Sequence, residues 1–260
     1  MACKRNKKEN LKSPKREVSA LKACEFARGY SEPAGADGRE IGHFLTRGFH
    51  ECLGEGRGDH AAALAFALSC AGLGQRETAK PVLYCAHSGE RQETGALHAP
   101  GAMRQGVDLD RLLCVRAARE RDVYWVAEQG LSCPGIAAIV LSLGAWERLY
   151  DFTISRRLKL RAERAGIPLF MIRHWRRGGA SAAAARWRIS ALPGAPASFA
   201  GSRMPLVSSP RFRLRLERGV FLKPRSWEFE YDASGRFHLA SPLAHGPPGQ
   251  WAKRHGRRAA

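Results

Sequence analysis

The stretch Cys52-Leu-Gly-Glu-Gly-Arg-Gly-Asp-His-Ala-Ala-Ala-Leu-Ala-Phe-Ala-Leu68 (CLGEGRGDHAAALAFAL) sets a glycine-rich turn directly before an apolar helix. That is the rhythm of a phosphate-binding loop. In such a loop backbone amides cradle phosphate, a lysine reaches the terminal phosphates and a hydroxyl ligates magnesium. Counted from Gly54 in the spacing G-x-x-x-x-G-K-[ST], with Gly58 inside the turn, the three decisive slots hold Asp59, His60 and Ala61. Asp59 would set a negative charge beside phosphate. Neutral His60 does not replace a lysine cation, and Ala61 has no oxygen for a metal. A helix N-terminus still attracts anions, so the sequence describes the frame of a nucleotide site without its chemistry.

Outward from this loop, apolar strands alternate with helices. Asp59–Leu73 reads as a buried helix and Lys80–Ala86 (KPVLYCA) as a short buried strand. After a glycine-rich loop, Arg111–Ala117 (RLLCVRA) reads as a second strand and Glu120–Leu131 as an amphipathic helix with Val123, Val126, Ala127 and Leu131 on one stripe. Gly135–Gly144 (GIAAIVLSLG) is a third apolar run of strand length. Thr153–Gly166 is predicted helical, with Thr153 available as N-cap and Gly166 as terminator, and Ile167–Trp175 is a fourth strand. This pattern predicts a mostly parallel sheet covered by helices on both faces. Beyond Gly179 the period changes to two. Ala185–Ala191, Arg211–Gly219 and a hairpin over Ser226–Ala240, turning at Asp-Ala-Ser-Gly, extend the α/β core with antiparallel strands. In phosphate-loop ATPases a strand-end acid helps hold magnesium; here the third run ends on Leu141 and Ser142.

Charge bounds the partners. The formal net charge is +19, and 44% of the 260 residues are hydrophobic, enough for a real core. Between Arg156 and Arg225 stand seventeen Lys or Arg, fifteen of them Arg, against Glu163 and Glu217 alone. Such an excess suits a polyanionic partner, because neutralising phosphates releases counterions. The seven cysteines, an odd count without a C-x-x-C pair, read as small core residues of a reducing cytosol, Cys70, Cys85 and Cys114 among them. No signal peptide or membrane-spanning run is visible, so a cytoplasmic, nucleoid-associated protein without membrane contact is expected. Residues 1–40 are predicted to be a basic disordered tail with one short helix near Val18–Arg28. Residues 41–240 form the domain, and 241–260 a second basic disordered tail.

LHAPG (Leu97–Gly101), GVDLDRLLCVR (Gly106–Arg116), WVAE (Trp125–Glu128), SRRLKL (Ser155–Leu160) and AAARWRISALPG (Ala183–Gly194) follow one another along the chain. In that order the segments resemble a RecA-like core, and more closely the ImuA family, RecA-like proteins of bacterial damage-inducible mutagenesis. The match spans roughly residues 43–240. It implies an adaptor role in the SOS-linked DNA damage response and translesion synthesis, with no cofactor, no metal and no catalytic residue. The implied partners are ImuB, a Y-family-polymerase-like protein, an error-prone DnaE-type polymerase, and also RecA and DNA, with single strands expected.

Two stretches are candidate contacts. Arg173–Arg188 (RHWRRGGASAAAARWR) follows a strand end, where ligands meet parallel sheets. It interleaves Arg173, Arg176, Arg177, Arg186 and Arg188 with Trp175 and Trp187, and its Gly-Gly-Ala-Ser interior suggests a mobile loop. Arginine grips phosphate while an indole stacks on an unpaired base, worth on the order of 1–3 kcal/mol. In RFRLRLER, Arg211, Arg213 and Arg215 share one strand face, opposite Phe212, Leu214 and Leu216. For the first stretch an equal reading puts Trp187 in the core and its arginines in solvent; for RFRLRLER the ordinary reading is a half-buried strand. Glu90, Glu93 and His98 fall where a RecA-like ATPase places its water-activating acid, and His60 and His174 are no zinc pair. The competing readings are a nucleotide-dependent DNA-binding RecA-like ATPase and a protein-only SOS-type regulator such as a cell-division inhibitor.

Overall fold

The computed structural model describes residues 44–194, 196–197, 206–207, 210–219, 225–231 and 237–239. The predicted tails, the short helix near 18–28 and the turn at 232–235 lie outside the described residues. The chain runs β1 (Phe49–Gly54), α1 (His60–Thr78), β2 (Val82–His87), α2 (Ser88–Thr94), α3 (Ala99–Arg104), β3 (Leu112–Ala117), α4 (Glu120–Leu131) and β4 (Ala138–Gly144). It continues through α5 (Phe152–Ala165), β5 (Leu169–Arg173), β6 (Ala185–Leu192), β7 (Pro196–Ala197), β8 (Leu206–Val207), β9 (Arg211–Gly219), β10 (Arg225–Tyr231) and β11 (Phe237–Leu239).

Nine strands form one sheet in the order β11-β10-β9-β6-β1-β5-β4-β2-β3. From β6 to β3 every pairing is parallel. From β6 outward through β9, β10 and β11 every pairing is antiparallel. Strand β6 is therefore the seam, paired parallel to β1 on one side and antiparallel to β9 on the other. The expected architecture is present: a mostly parallel α/β sheet with a C-terminal antiparallel extension.

Alternation along the strands feeds two cores. Val140, Phe170, Ile172 and Trp187 face α1, while Ile139, Leu141, Leu169 and Met171 face α4 and α5. Phe66 and Phe170 are almost completely buried, which stabilises the fold by about 1.5–3 kcal/mol each. Helix α1 is closed by Ala79 in the left-handed region, and α5 by Gly166 at φ +65°.

The structure corrects several expectations. Strand β1 was hidden from the sequence because His50 and Glu51 interrupt its apolar run, yet all six of its residues are buried. The glycine-rich loop after β2 contains the short helices α2 and α3, each capped by a preceding histidine ring: His87 accepts from the Gly89 amide and His98 from the Gly101 amide. The N-cap of α5 is Asp151, whose carboxylate accepts from the Ile154 amide at 2.7 Å, so Thr153 is displaced from that role. Cys114 is not a core residue. It is exposed because β3 is an edge strand of the sheet, and Cys133 is exposed as well. Among the described residues no helix is long and apolar enough to cross a membrane.

Candidate functional site

Strand β1 delivers Gly54 to the carboxyl edge of the sheet, and a single 3-10 turn, Arg57–Asp59, leads into α1. Gly54 suits this turn, since a Cβ would meet Asp59 Cβ and the Gly56 carbonyl oxygen at 3.0 Å each, tighter than ordinary contact. The Asp59 carboxylate folds back over the turn. One oxygen accepts from the Gly56 amide and the other from the Ala191 amide of β6, both at 2.9 Å. An amide of the loop is thus taken by the protein's own anion. Next to it, His60 Nε2 lies 2.8 Å from Glu90 Oε1.

Glu90 is 2% exposed. Burial alone would raise its carboxyl, but the His60 hydrogen bond and charge, together with Thr94 and Ser142, hold it below the ordinary value. Thr94 donates to Glu90 Oε1 at 2.8 Å. Ser142, fully buried at the end of β4, stands where a magnesium-holding acid belongs. A triphosphate entering here would meet Asp59, would have to part His60 from Glu90, and would find no hydroxyl at Ala61. Gly58, exposed in the same turn, has open space around its Cα. Beyond the loop opens a cleft of about 630 Å³ lined by Arg57, His60, Glu93, His174, Trp175 and Arg176, among others. Among the described residues no group of three or more His, Cys, Asp or Glu side chains could hold a metal ion.

Under this edge lies a buried ionic network that the sequence did not disclose. Arg173 is 3% exposed, not at the surface. It donates to Glu147 through Nε at 2.8 Å and through Nη2, and its Nη1 stands 3.0 Å from Glu51. Arg186, also buried, donates through Nε to the other Glu51 oxygen at 2.6 Å. Tyr150 donates to Glu51 Oε1 at 2.5 Å and lies under the Arg173 guanidinium at 4.5 Å. Burial would raise the Glu51 carboxyl, yet Arg173 and Arg186 hold it below its usual value. Burial wins at Glu147, whose carboxyl is raised despite Arg173. Two carboxylates and two guanidiniums balance, which is the condition for burying such groups at all.

The network also fastens the arginine-rich segment. Arg186 Nη2 donates to the Gly179 carbonyl at 2.9 Å, and Arg218 donates to the Ser181 carbonyl. The Ala182 amide donates to Ser155 Oγ at 2.9 Å, and Arg188 Nη1 to the Trp175 carbonyl at 2.5 Å. The loop expected to be mobile is pinned at both shoulders. Only its tip, residues 176–180, is exposed. There the Arg176 guanidinium covers the Trp175 ring at 4.5 Å, and Arg177 projects beside it. Burial and the charges of Arg177 and Arg176 lower the His174 imidazole below its ordinary value.

Four sequence candidates are therefore interior. Arg173 and Arg186 serve Glu51. Trp187 is 0% exposed, with Nε1 donating to His50 Nδ1 at 3.4 Å. Arg211 is 1% exposed and paired with Glu228 at 3.4 Å. Arg213 and Arg215 do face solvent, but each meets an acid: Glu228 at 2.8 Å and Glu55 at 2.7 Å. Arg188 pairs with Glu217 at 2.8 Å. The open face of β6, β9 and β10 is a ladder of alternating charges, not a bare cationic surface. Trp175, Arg176 and Arg177 are left as the candidates without a carboxylate at salt-bridge distance among the described residues.

Fold and site together define a RecA-like α/β protein whose glycine-rich loop before α1 is bridged by its own side chains. No family model matches the chain. It is 33% identical over 215 residues to the protein ImuA of Caulobacter vibrioides strain NA1000 / CB15N, spanning 76% of this chain and 82% of that protein. The ImuA of strain ATCC 19089 / CIP 103742 / CB 15 matches to the same extent. The chain belongs to the ImuA family.

Proposed function

We propose that this chain is a non-catalytic adaptor of damage-induced mutagenesis, working in translesion synthesis beside an ImuB-like Y-family polymerase homologue and an error-prone DnaE-type polymerase. Membership of the ImuA family supports the role in mutagenesis. The observation that carries the non-catalytic part is the occupied loop. Asp59 takes the Gly56 amide, and His60 and Glu90 stand at 2.8 Å where a lysine would meet phosphate. An adaptor needs a stable scaffold, and internal anions stabilise this one without a ligand. DNA or RecA is engaged through the Trp175–Arg177 tip, where cations and an indole stand without carboxylate partners among the described residues. The protein works in the cytoplasm, at the nucleoid.

The test is copurification of the tagged chain with an ImuB-like partner after DNA damage, combined with an ATP turnover assay. Partner capture without turnover is expected. Turnover that disappears on His60→Ala would replace the adaptor with an active ATPase. Capture of a division protein in place of the polymerase homologue would replace it with a regulator.

A further inference from the structure

Among the described residues seven large apolar side chains are exposed, and five of them fall on two helices that pack together and on the loop leading into the second: Trp125, Trp146, which stacks on the His87 ring at 5.2 Å, Leu149, Phe152 and Leu160. They belong to α4, to α5 and to the loop that brings β4 into α5. Apolar residues scattered singly over a surface need no explanation, but a concentration on one pair of elements does. Trp125 is 61% exposed on the solvent side of α4, while Val123, Tyr124 and Ala127 bury the opposite side. Packing therefore gives no reason for tryptophan at this position.

Two of the short segments singled out in the sequence, WVAE and SRRLKL, meet on this side. Glu128 joins them, with Oε1 at 2.6 Å from Arg157 Nε and Oε2 at 3.5 Å from Arg161 Nη2. The loop is fixed to the same surface. The amides of Arg148 and Leu149 donate to the Glu120 carboxylate at 2.7 and 2.9 Å, and Tyr124 and Tyr150 lie against each other at 6.3 Å. The face is thus preformed. Its rim is basic: Arg148, Arg156 and Arg164 are exposed without a carboxylate at salt-bridge distance among the described residues, while the exposed Arg121 and Arg157 are paired with Asp122 at 3.7 Å and Glu128 at 2.6 Å. Its acids are engaged within the fold: Glu128 with two arginines, Asp151 with the Ile154 amide, and Glu163 with Lys159 at 3.7 Å.

We propose that the α4–α5 face docks an acidic, amphipathic segment of a partner protein, whose apolar side chains cover Trp125, Leu149 and Leu160 while its carboxylates meet the arginine rim. The inference rests on the adaptor reading, because a scaffold that works by binding needs a face to bind with. Charge complementarity selects an acidic occupant. The aliphatic side chains select protein over nucleic acid, since Leu149 and Leu160 offer nothing to a phosphate and no ring to a base. An apolar centre that includes tryptophan, ringed by arginine, is the composition of protein-binding hot spots.

The test uses the full chain and three labelled probes: a helical peptide with leucine and phenylalanine at i, i+3, i+4 and i+7 and Asp or Glu elsewhere, polyglutamate of equal charge, and oligothymidylate. The apolar-anchored peptide should bind about tenfold more tightly than polyglutamate, and Trp125→Ala should erase that difference, the usual scale for losing one anchor. Oligothymidylate binding should stay unchanged in Trp125→Ala. Leu160→Ser is a second variant at an exposed position and should weaken the peptide in the same direction, with unaltered circular dichroism for both. Equal affinity for the two peptides, or loss of oligothymidylate binding in Trp125→Ala, overturns the proposal. Failure to copurify an ImuB-like partner would sink the adaptor reading without touching the peptide result. An intact copurification with an unaffected Trp125→Ala peptide titration would sink the docking face alone.

Discussion

His60 Nε2 stands 2.8 Å from Glu90 Oε1, joining the first residue of α1 to the first turn of α2. In a working phosphate loop the corresponding cation would face a triphosphate and the acid would face water. Here they face each other, and the site's two polar functions cancel.

Replacing Glu90 should therefore cost stability rather than activity. Glu90→Ala leaves the buried Nε2 of His60 without the carboxylate it meets at 2.8 Å and should lower unfolding free energy by about 1–3 kcal/mol. Because the folded carboxyl titrates below its ordinary value, its contribution is complete above the usual carboxylate range and is lost as pH falls through the lowered folded value. Urea melts of both proteins at neutral and acid pH check this: the gap between them should narrow on acidification.

Asp59→Ala should free the Gly56 and Ala191 amides together. We expect a loss of about 1–2 kcal/mol in unfolding free energy. A second effect separates the plug from a mere turn. Inorganic phosphate should raise the melting temperature of the variant more than that of the wild type, because the vacated amides sit before a helix N-terminus. Identical phosphate responses in thermal melts would show that Asp59 guards nothing.

Breaking the Glu51 network should be more damaging than either change. Arg173→Met leaves Glu51 and Glu147 facing each other without their shared cation and should cost about 3–5 kcal/mol. A chemical-denaturation midpoint within error of wild type would show that the network is dispensable.

His50 predicts an acid limb. Its Nε2 must donate to the Arg47 carbonyl at 2.8 Å, so Nδ1 is the acceptor for Trp187 and the ring is neutral. Burial lowers it from 6.5 to about 4. The folded state thus resists a proton that the unfolded chain accepts. Its contribution is complete above pH 6.5 and declines as pH falls towards 4, by roughly 1.4 kcal/mol per pH unit. His50→Gln should flatten that slope in a series of urea melts, whatever its effect on stability at neutral pH.

Nucleic-acid binding should follow the exposed tip, not the arginine count. Arg176→Glu with Arg177→Glu should weaken oligothymidylate binding. The slope of log affinity against log salt should become shallower by about 1–2, since each phosphate neutralised on a single strand adds about 0.7 to it. Arg213→Glu should change it less, since Glu228 already neutralises that side chain. Titrations at several salt concentrations distinguish the two.

Local patterns were readable where one rule acted alone. Helix α4 has the predicted limits, because its buried stripe and its length agree, and β9 does too, because polar and apolar residues alternate from Arg211 to Leu216. Spacing put Asp59, His60 and Ala61 at the decisive positions of the loop, and they stand at the turn into α1. What stayed hidden needed partners distant in sequence. Glu51 looks foreign to a buried strand until Arg186, at a separation of 135 residues, is placed beside it. Arg173 and Arg186 looked like surface cations for the same reason. Cys114 looked like core because an edge strand and a central strand share one composition. Glu90 was recognised as sitting at the acid position, but no spacing rule could turn it towards His60.

Trp187 has Phe44, Phe66 and Trp227 around it, at centroid distances of 6.3, 5.8 and 6.2 Å. Those rings come from the entry to β1, from α1 and from β10, so elements on both sides of the seam share one aromatic knot. The parallel and antiparallel halves should therefore melt together, and a fragment cut after β6 would strip Trp227 from this ring and open the core on that side.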